Sequence, residues 1–176
     1  MLAIRNKGRV FEYKVLGRHG TDRPRYLRRK LDFQCAIQQV MGHQPHSDPF
    51  SPSMRRGLFL VRSVRSALRL ELQKLGISRF DQNEILGSVG LYDALNTEAD
   101  FYWETDAIIA CSYDGKIAFF TLDLKNWDDG REYQRQNHFL LTPEHFTGRD
   151  YFGNSRMKNV GGLIADSLIS QLFQNI

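Results

Sequence analysis

Two apolar runs separated by an Asp-Gly turn constrain the fold of this chain more than any other feature of its sequence. The runs cover residues 107–111 and 117–122, and Asp114-Gly115 lies between them. Asp-Gly in this position indicates a tight β-hairpin turn, because glycine adopts φ > 0 without strain. Both runs are rich in Ile, Phe and Ala and alternate little, which is typical of strands covered on both faces. The sequence therefore predicts a hairpin in the core of an α/β domain.

Ionisable residues stand at the open end of the predicted hairpin. Glu104 and Asp106 precede the first strand, and Asp123 and Lys125 end the second. Counting outward from the turn sets Asp106 opposite Asp123. Side chains alternate along a strand, so Asp123 and Lys125 share one face. Two carboxylates and an ammonium group are therefore expected to converge at one edge of an apolar sheet.

This convergence favours a hard divalent cation. Two carboxylates in an apolar place repel each other, and one of them is pushed toward protonation. Mg²⁺ or Mn²⁺ removes the conflict, and Mg²⁺ is usually held by one or two carboxylates together with water and phosphate oxygens. Lys125 would then either orient an attacking water or neutralise charge that develops on a phosphate. The chemistry that suits these residues is metal-assisted hydrolysis of a phosphodiester.

The same residues resemble a known nuclease motif. Thr105-Asp106, a hairpin and then Asp123-Leu124-Lys125 is similar to the signature of the PD-(D/E)xK nuclease superfamily, with Thr105 in place of the usual proline. The resemblance covers about twenty residues. It implies a restriction-endonuclease-like fold, in which a central mixed sheet with a core hairpin is flanked by helices. It also implies that Asp106, Asp123 and the backbone carbonyl of Leu124 bind the metal, and that Lys125 is the catalytic lysine.

Residues 58–75 form the clearest predicted helix, and they contain a further candidate. Apolar residues recur there at helical spacing, and Gly76 follows as a stop. Glu71 stands at the margin of the apolar stripe, where a partly buried carboxylate needs a partner or a role. The resemblance gives it one, because a helix before the hairpin often supplies a glutamate to the metal site in this superfamily. An ordinary ion pair is the alternative, and Glu84, Glu98 and Glu104 are rival candidates.

The remaining elements complete an α/β arrangement. Alternation over residues 8–16 predicts a strand, and apolar spacing predicts helices over 26–41, 79–95 and 159–174. Residues 139–142 are expected to form a further strand. A basic segment, 1–55, is predicted to pack on a nuclease-like core formed by 56–176.

The charge distribution favours a polyanionic partner. The net charge is +4, and Lys and Arg far outnumber acids between residues 18 and 69. Arg28, Arg29, Lys30, Arg131 and Arg135 are candidate contacts for DNA phosphates, although a solvated helix face explains them equally well. The sequence thus predicts a Mg²⁺- or Mn²⁺-dependent DNA nuclease, of endonuclease type.

A second hypothesis gives the chain a function without catalysis. Asp-x-Lys after a strand can be a solvated strand end with a surface ion pair, which contributes little to stability. The chain would then be a non-catalytic nucleic-acid-binding protein or a phage structural protein on the same fold.

The sequence has no apolar run of eighteen residues and no apolar signal segment, so the expected location is cytoplasmic and no membrane partner is expected. The apolar face of the last predicted helix either packs on the sheet or contacts another copy in a homodimer.

Overall fold

The sheet and its helices are seen in five stretches of the chain. The computed structural model describes residues 10–17, 31–43, 55–125, 137–149 and 155–174. The helices are α1 (10–16), α2 (Phe33–His43), α3 (Arg55–Lys74), α4 (Arg79–Ser88), α5 (Glu98–Trp103), α6 (Glu144–Thr147) and α7 (Arg156–Phe173). The strands are β1 (Gly90–Asp93), β2 (Ala107–Tyr113), β3 (Lys116–Leu124) and β4 (His138–Leu141). Strand order is β1-β2-β3-β4, with β3 and β4 parallel and the other neighbours antiparallel. The predicted α/β class, with a mixed sheet flanked by helices, is confirmed.

The predicted hairpin has the predicted register. Tyr113 pairs with Lys116 across the turn, and the ladder continues to Ala107 opposite Leu122. Asp114 and Gly115 have φ of 49° and 70°, the two positive values that a type I′ turn requires. The next residues along the ladder are therefore Asp106 and Asp123.

The sheet is covered on both faces, as the apolar runs predicted. One face, here called the α3 face, presents Ile109 and Leu122 to a core that includes α1, α3, α4 and α7. The other, the α2 face, presents Ile108 and Ala110 to a smaller core formed with α2 and α5. Side chains of β2 alternate between these two cores, so the even-numbered positions belong to the α2 face.

The two long predicted helices are confirmed with small shifts at their ends. The helix predicted at 58–75 is α3, and the one predicted at 159–174 is α7, which begins three residues earlier. The helix predicted at 26–41 begins only at Phe33, since Leu31 and Asp32 are not helical and Asp32 accepts a hydrogen bond from the Cys35 N–H at 3.0 Å. None of the helices in the described stretches is long and apolar enough to cross a membrane.

The strand predicted at 8–16 is wrong, because residues 10–16 are helical. The alternation of Phe11, Tyr13 and Val15 suggested a strand. The helix buries Phe11, Val15 and Leu16 in the core of the α3 face, while Tyr13 remains exposed. Positions i and i+4 satisfy a helical face and a period of two alike, so this short segment was ambiguous.

The single helix predicted at 79–95 is also wrong in its second half. Helix α4 ends at Ser88, and the chain turns extended at Val89 to form β1. Ser88 stabilises this break, because its hydroxyl donates to the Ser112 carbonyl at 3.0 Å and accepts from the Ser112 N–H at 2.9 Å. A fourth strand therefore extends the sheet next to β2.

Residues of the segment 1–55 contribute to both cores. Phe11 and Val15 of α1 lie in the core of the α3 face, and Ala36 and Ile37 of α2 lie in that of the α2 face. The described parts of this segment are thus built into the same domain as the sheet.

Gly57 allows α1 to lie directly against α3. A Cβ atom at this position would lie 2.4 Å from the backbone oxygen of Val15. We expect Gly57→Ala to lower the free energy of unfolding by about 1–3 kcal/mol through overpacking. Urea denaturation checks this, with Gly87→Ala as the control: its Cβ would meet open space, and the change should leave stability unaltered or raise it by up to about 1 kcal/mol. Equal effects of the two substitutions would contradict the prediction.

Candidate functional site

Asp106, Asp123 and Lys125 meet at the open end of the hairpin, on the α2 face. The Asp106 N–H donates to the Leu122 carbonyl at 2.8 Å, so Asp106 remains hydrogen-bonded to β3 just beyond the last pair of the ladder. Asp106 Oδ2 accepts a hydrogen bond from the Leu124 N–H at 2.6 Å. Lys125 Nζ lies 3.1 Å from Asp123 Oδ2. The structure therefore brings together the three side chains that the hairpin register predicted.

Both carboxyl groups are buried, unlike those of a solvated strand end. Only 8% of Asp106 and 3% of Asp123 is exposed. Burial raises the pKa of Asp106 well above its ordinary value, and the charges of Asp123 and Asp100 raise it further, while the Leu124 N–H partly offsets this. Asp106 and Asp123 are thus close enough for the charge of one to act on the other. Two buried neighbouring carboxylates favour a bound proton or a bound cation between their oxygens.

Lys125 stays charged beside these acids. Burial alone lowers the pKa of Lys125, but the charge and hydrogen bond of Asp123, followed by the charges of Asp106 and Glu104, outweigh it and raise the pKa overall. The side chain is 31% exposed, so the ammonium group reaches solvent at the edge of the site. A lysine with a raised pKa can donate hydrogen bonds and neutralise negative charge, but it is a poor proton acceptor.

A short helix positions the first acid. The chain leaves α5 at Glu104, which adopts the left-handed conformation with φ of 48°, and Thr105 is then fully buried. The Thr105 N–H donates to the Ala99 carbonyl at 3.1 Å, and its hydroxyl donates to the Trp103 carbonyl at 3.1 Å. Trp103 in turn donates from Nε1 to the Leu31 carbonyl at 3.2 Å, which ties α5 to the start of α2. Thr105 thus fills the position before Asp106 with two local hydrogen bonds.

Three further acids lie close to this pair, and sequence reasoning missed all of them. The charges of Glu12, Asp123 and Asp93 act on Asp100, so α1, β1, α5 and the hairpin each bring a carboxyl to this end of the sheet. Glu12 was not a candidate because the alternation over residues 8–16 predicts a strand. Asp93 was hidden because β1 was read as the end of a helix.

Asp100 makes the stability of the cation-free protein depend on pH. Burial raises its pKa to about 6, with the nearby acids adding to the effect and the Asn96 N–H opposing it. A carboxyl with a raised folded pKa stabilises the protein fully below its unfolded pKa and loses that contribution as the pH rises through the folded value. We expect Asp100→Asn to remove a decline of about 2–3 kcal/mol between about pH 4 and pH 6. Urea denaturation of both proteins across this range checks it, and parallel pH profiles would contradict it.

The structure does not bring Glu71 to Asp106 and Asp123. Helix α3 covers the opposite face of the sheet, and the Glu71 carboxylate accepts a hydrogen bond from Lys74 at 2.6 Å. The rival Glu84 lies near Tyr113, at the turn end of the hairpin. Glu98 lies in the first turn of α5. Of the four glutamates considered from the sequence, Glu104 is the one whose charge acts on Lys125.

The predicted phosphate contacts lie in other parts of the chain. Arg28, Arg29, Lys30, Arg131 and Arg135 all lie outside the described residues. His138, which follows these residues in the chain, lies in β4, where its Nδ1 is 2.8 Å from the Thr121 hydroxyl.

The donor atoms at the hairpin end fit a magnesium ion. Among the described residues, no group of three or more His, Cys, Asp and Glu side chains is arranged to hold a metal. Mg²⁺ needs no such group, since one or two carboxylates completed by water and substrate oxygens are its usual protein ligands. Asp106 and Asp123 supply the two carboxylates. The Leu124 N–H donates to Asp106, so the residue whose carbonyl is the predicted third ligand lies beside this carboxyl.

Comparisons with known proteins add no functional information to the geometry of Asp106, Asp123 and Lys125. No protein-family model, no curated protein and no solved structure matches this chain.

Proposed function

We propose that this protein is a divalent-metal-dependent nuclease that hydrolyses phosphodiester bonds of DNA. The observation that carries the proposal is the burial of two neighbouring acids, Asp106 and Asp123, beside the charged Lys125. Two buried neighbouring acids destabilise a fold unless a proton or a cation lies between them. A solvated strand end would expose both carboxyl groups, whereas both are buried here.

The proposed roles follow from the position of each group. Asp106, Asp123 and the Leu124 carbonyl would hold Mg²⁺ or Mn²⁺. The ion, when bound, supplies a Lewis acid that polarises a phosphate oxygen and activates water. The Leu124 N–H fixes one oxygen of Asp106, and Lys125 is fixed by Asp123 at 3.1 Å. Because its pKa is raised, Lys125 would act as a cation that orients water or neutralises the phosphate in the transition state, and not as the base.

The arrangement of elements supports the resemblance to the PD-(D/E)xK nucleases. A mixed sheet carries helices on both faces, and the acidic pair lies at one end of its central hairpin. This is compatible with a restriction-endonuclease-like fold. The family resemblance assigned a helical glutamate to the site, and in this chain Glu12 of α1 is better placed for that part than Glu71, since its charge acts on the same cluster.

The test is incubation of the protein with supercoiled, linear and branched DNA in the presence of Mg²⁺ or Mn²⁺. We expect cleavage that stops when EDTA removes the cation, and the substrate that is cut fastest would identify the preferred DNA structure. Binding to DNA that weakens with salt, without cleavage of any substrate, would contradict the proposal. That outcome would favour the non-catalytic nucleic-acid-binding or phage structural reading.

A further inference from the structure

A groove runs between α3 and α7, on the side of the molecule away from the acidic pair. It has a volume of about 570 Å³. Small residues line it: Ser63, Ser66, Ala67 and Gly162. The two helices approach closely beneath it, since a Cβ on Gly161 would lie 2.5 Å from Ser63 Oγ, and that hydroxyl donates to the Met157 carbonyl at 2.9 Å. The groove is therefore a fixed feature of the helix pair.

Large apolar side chains stand exposed along the groove. Phe59 and Leu70 belong to its walls and are 45% and 53% exposed. Single exposed apolar residues are ordinary on protein surfaces, but two large ones along one groove indicate a surface that another molecule covers.

The two ends of the groove carry opposite charges. Arg62 and Lys158 lie at the end marked by the Ser63–Met157 hydrogen bond. Glu71 and Asp166 lie at the other end, where Lys74 interacts with both. From Arg62 to Glu71 is nine helical residues, which corresponds to about 13 Å. No ion pair within the described residues joins Arg62, Lys158 or Asp166 to a partner.

This charge pattern fits a second copy of the same surface. In a dimer with two-fold symmetry, the same patch from each chain meets in opposite directions. The basic end of one groove then faces the acidic end of the other, and this complementarity occurs twice. We propose that the α3–α7 groove is the contact surface of a symmetric homodimer, in which Arg62 of each chain faces Asp166 of the other and the exposed apolar side chains pack between the four helices.

Other occupants fit less well. A nucleic acid would require positive charge along the whole groove, whereas Glu71 and Asp166 would repel its phosphates. A different protein would need no self-complementary charge pattern. The groove lies on the α3 face, and the proposed catalytic residues lie on the α2 face, so this inference does not depend on the proposed function.

Charge reversal tests the symmetric arrangement. Sedimentation velocity of the full chain across a range of concentrations should show a species of twice the 20.4 kDa monomer mass. Arg62→Glu and Asp166→Arg should each weaken the dimer by at least about tenfold, because each change places two like charges together at both ends. An equimolar mixture of the two variants should restore the dimer, since both contacts in the mixed dimer are again between opposite charges.

Gly162→Arg tests the groove without altering charge complementarity at its ends. A Cβ on Gly162 would meet open space, so the long side chain should leave the monomer folded and fill the groove. Gly87→Arg is the matched control, because Gly87 is an exposed helical glycine with equally open surroundings on α4. We expect Gly162→Arg to be monomeric and Gly87→Arg to remain dimeric.

Three results would overturn the proposal. The first is a wild-type protein that is monomeric at all concentrations. The second is a dimer whose dissociation constant is unchanged by Arg62→Glu, Asp166→Arg and Gly162→Arg. The third is a mixture of the two charge variants that stays monomeric, since only a symmetric contact between these residues predicts rescue.

Discussion

Asp123→Asn is expected to lower Mg²⁺-dependent DNA cleavage by about a hundredfold to a thousandfold, the scale of effect seen when one stabilising group is removed from an active site. The change keeps the shape of the side chain but removes the charge that would bind the cation and hold Lys125 at 3.1 Å. Lys125→Met is expected to have a similar effect on cleavage while DNA binding is retained. Single-turnover cleavage with saturating protein measures both rates without interference from product release.

Asp114→Asn is the matched control for this experiment. It makes the same chemical change at the opposite end of the same hairpin, in the exposed turn, where asparagine also tolerates the positive φ of 49°. Cleavage by this variant should equal that of the wild type. Cleavage that persists at the wild-type rate in both Asp123→Asn and Lys125→Met would rule out the proposed site.

Asp106→Asn is expected to stabilise the cation-free protein while it removes the response to Mg²⁺. Burial and two neighbouring acids raise the pKa of Asp106, so its charged form opposes folding at neutral pH. The asparagine amide keeps an oxygen that can accept the Leu124 N–H, and its NH2 group can donate to Asp123. We expect the free energy of unfolding in EDTA at pH 8 to rise by about 1–3 kcal/mol, the usual penalty for a buried polar group without compensation.

Thermal melts with and without Mg²⁺ separate the two effects. Wild-type protein should melt at a higher temperature when Mg²⁺ is added, because a ligand that binds only the folded state stabilises it. Asp106→Asn should start higher in EDTA and gain nothing from the ion, and calorimetry should show that saturable Mg²⁺ binding is lost. A variant that is less stable than wild type in EDTA, or that still binds Mg²⁺ normally, would contradict this account.

The hairpin and its acidic end could be predicted from the sequence because their determinants are local. Asp114-Gly115 sets the turn, the turn sets the register, and the register alone places Asp106 opposite Asp123. The long helices α3 and α7 were equally accessible, since their apolar spacing extends over many turns.

The glutamate that a helix brings to the acidic cluster could not be predicted in the same way, because its position depends on contacts between distant segments. Glu71 satisfied the local criterion, a carboxylate at the margin of an apolar helix, but that helix covers the other face of the sheet. Which face a helix covers is determined by tertiary packing and does not appear in its own periodicity. Glu12 reaches the acidic cluster only because α1 is a helix, and the short segment that forms it fits a strand pattern as well.

The type I′ turn has a consequence far from where it lies. Asp114 is eight residues from Asp106, roughly 25 Å along an extended strand. If a residue inserted in the turn shifted the pairing by one position, every side chain of one strand would move to the other face. Asp106 and Asp123 would then point into different cores, one toward α2 and one toward α3. The length of this exposed turn therefore helps to keep Asp106 and Asp123 on the same face of the sheet. The effect of turn insertions on cleavage would show how strictly the proposed activity depends on this placement.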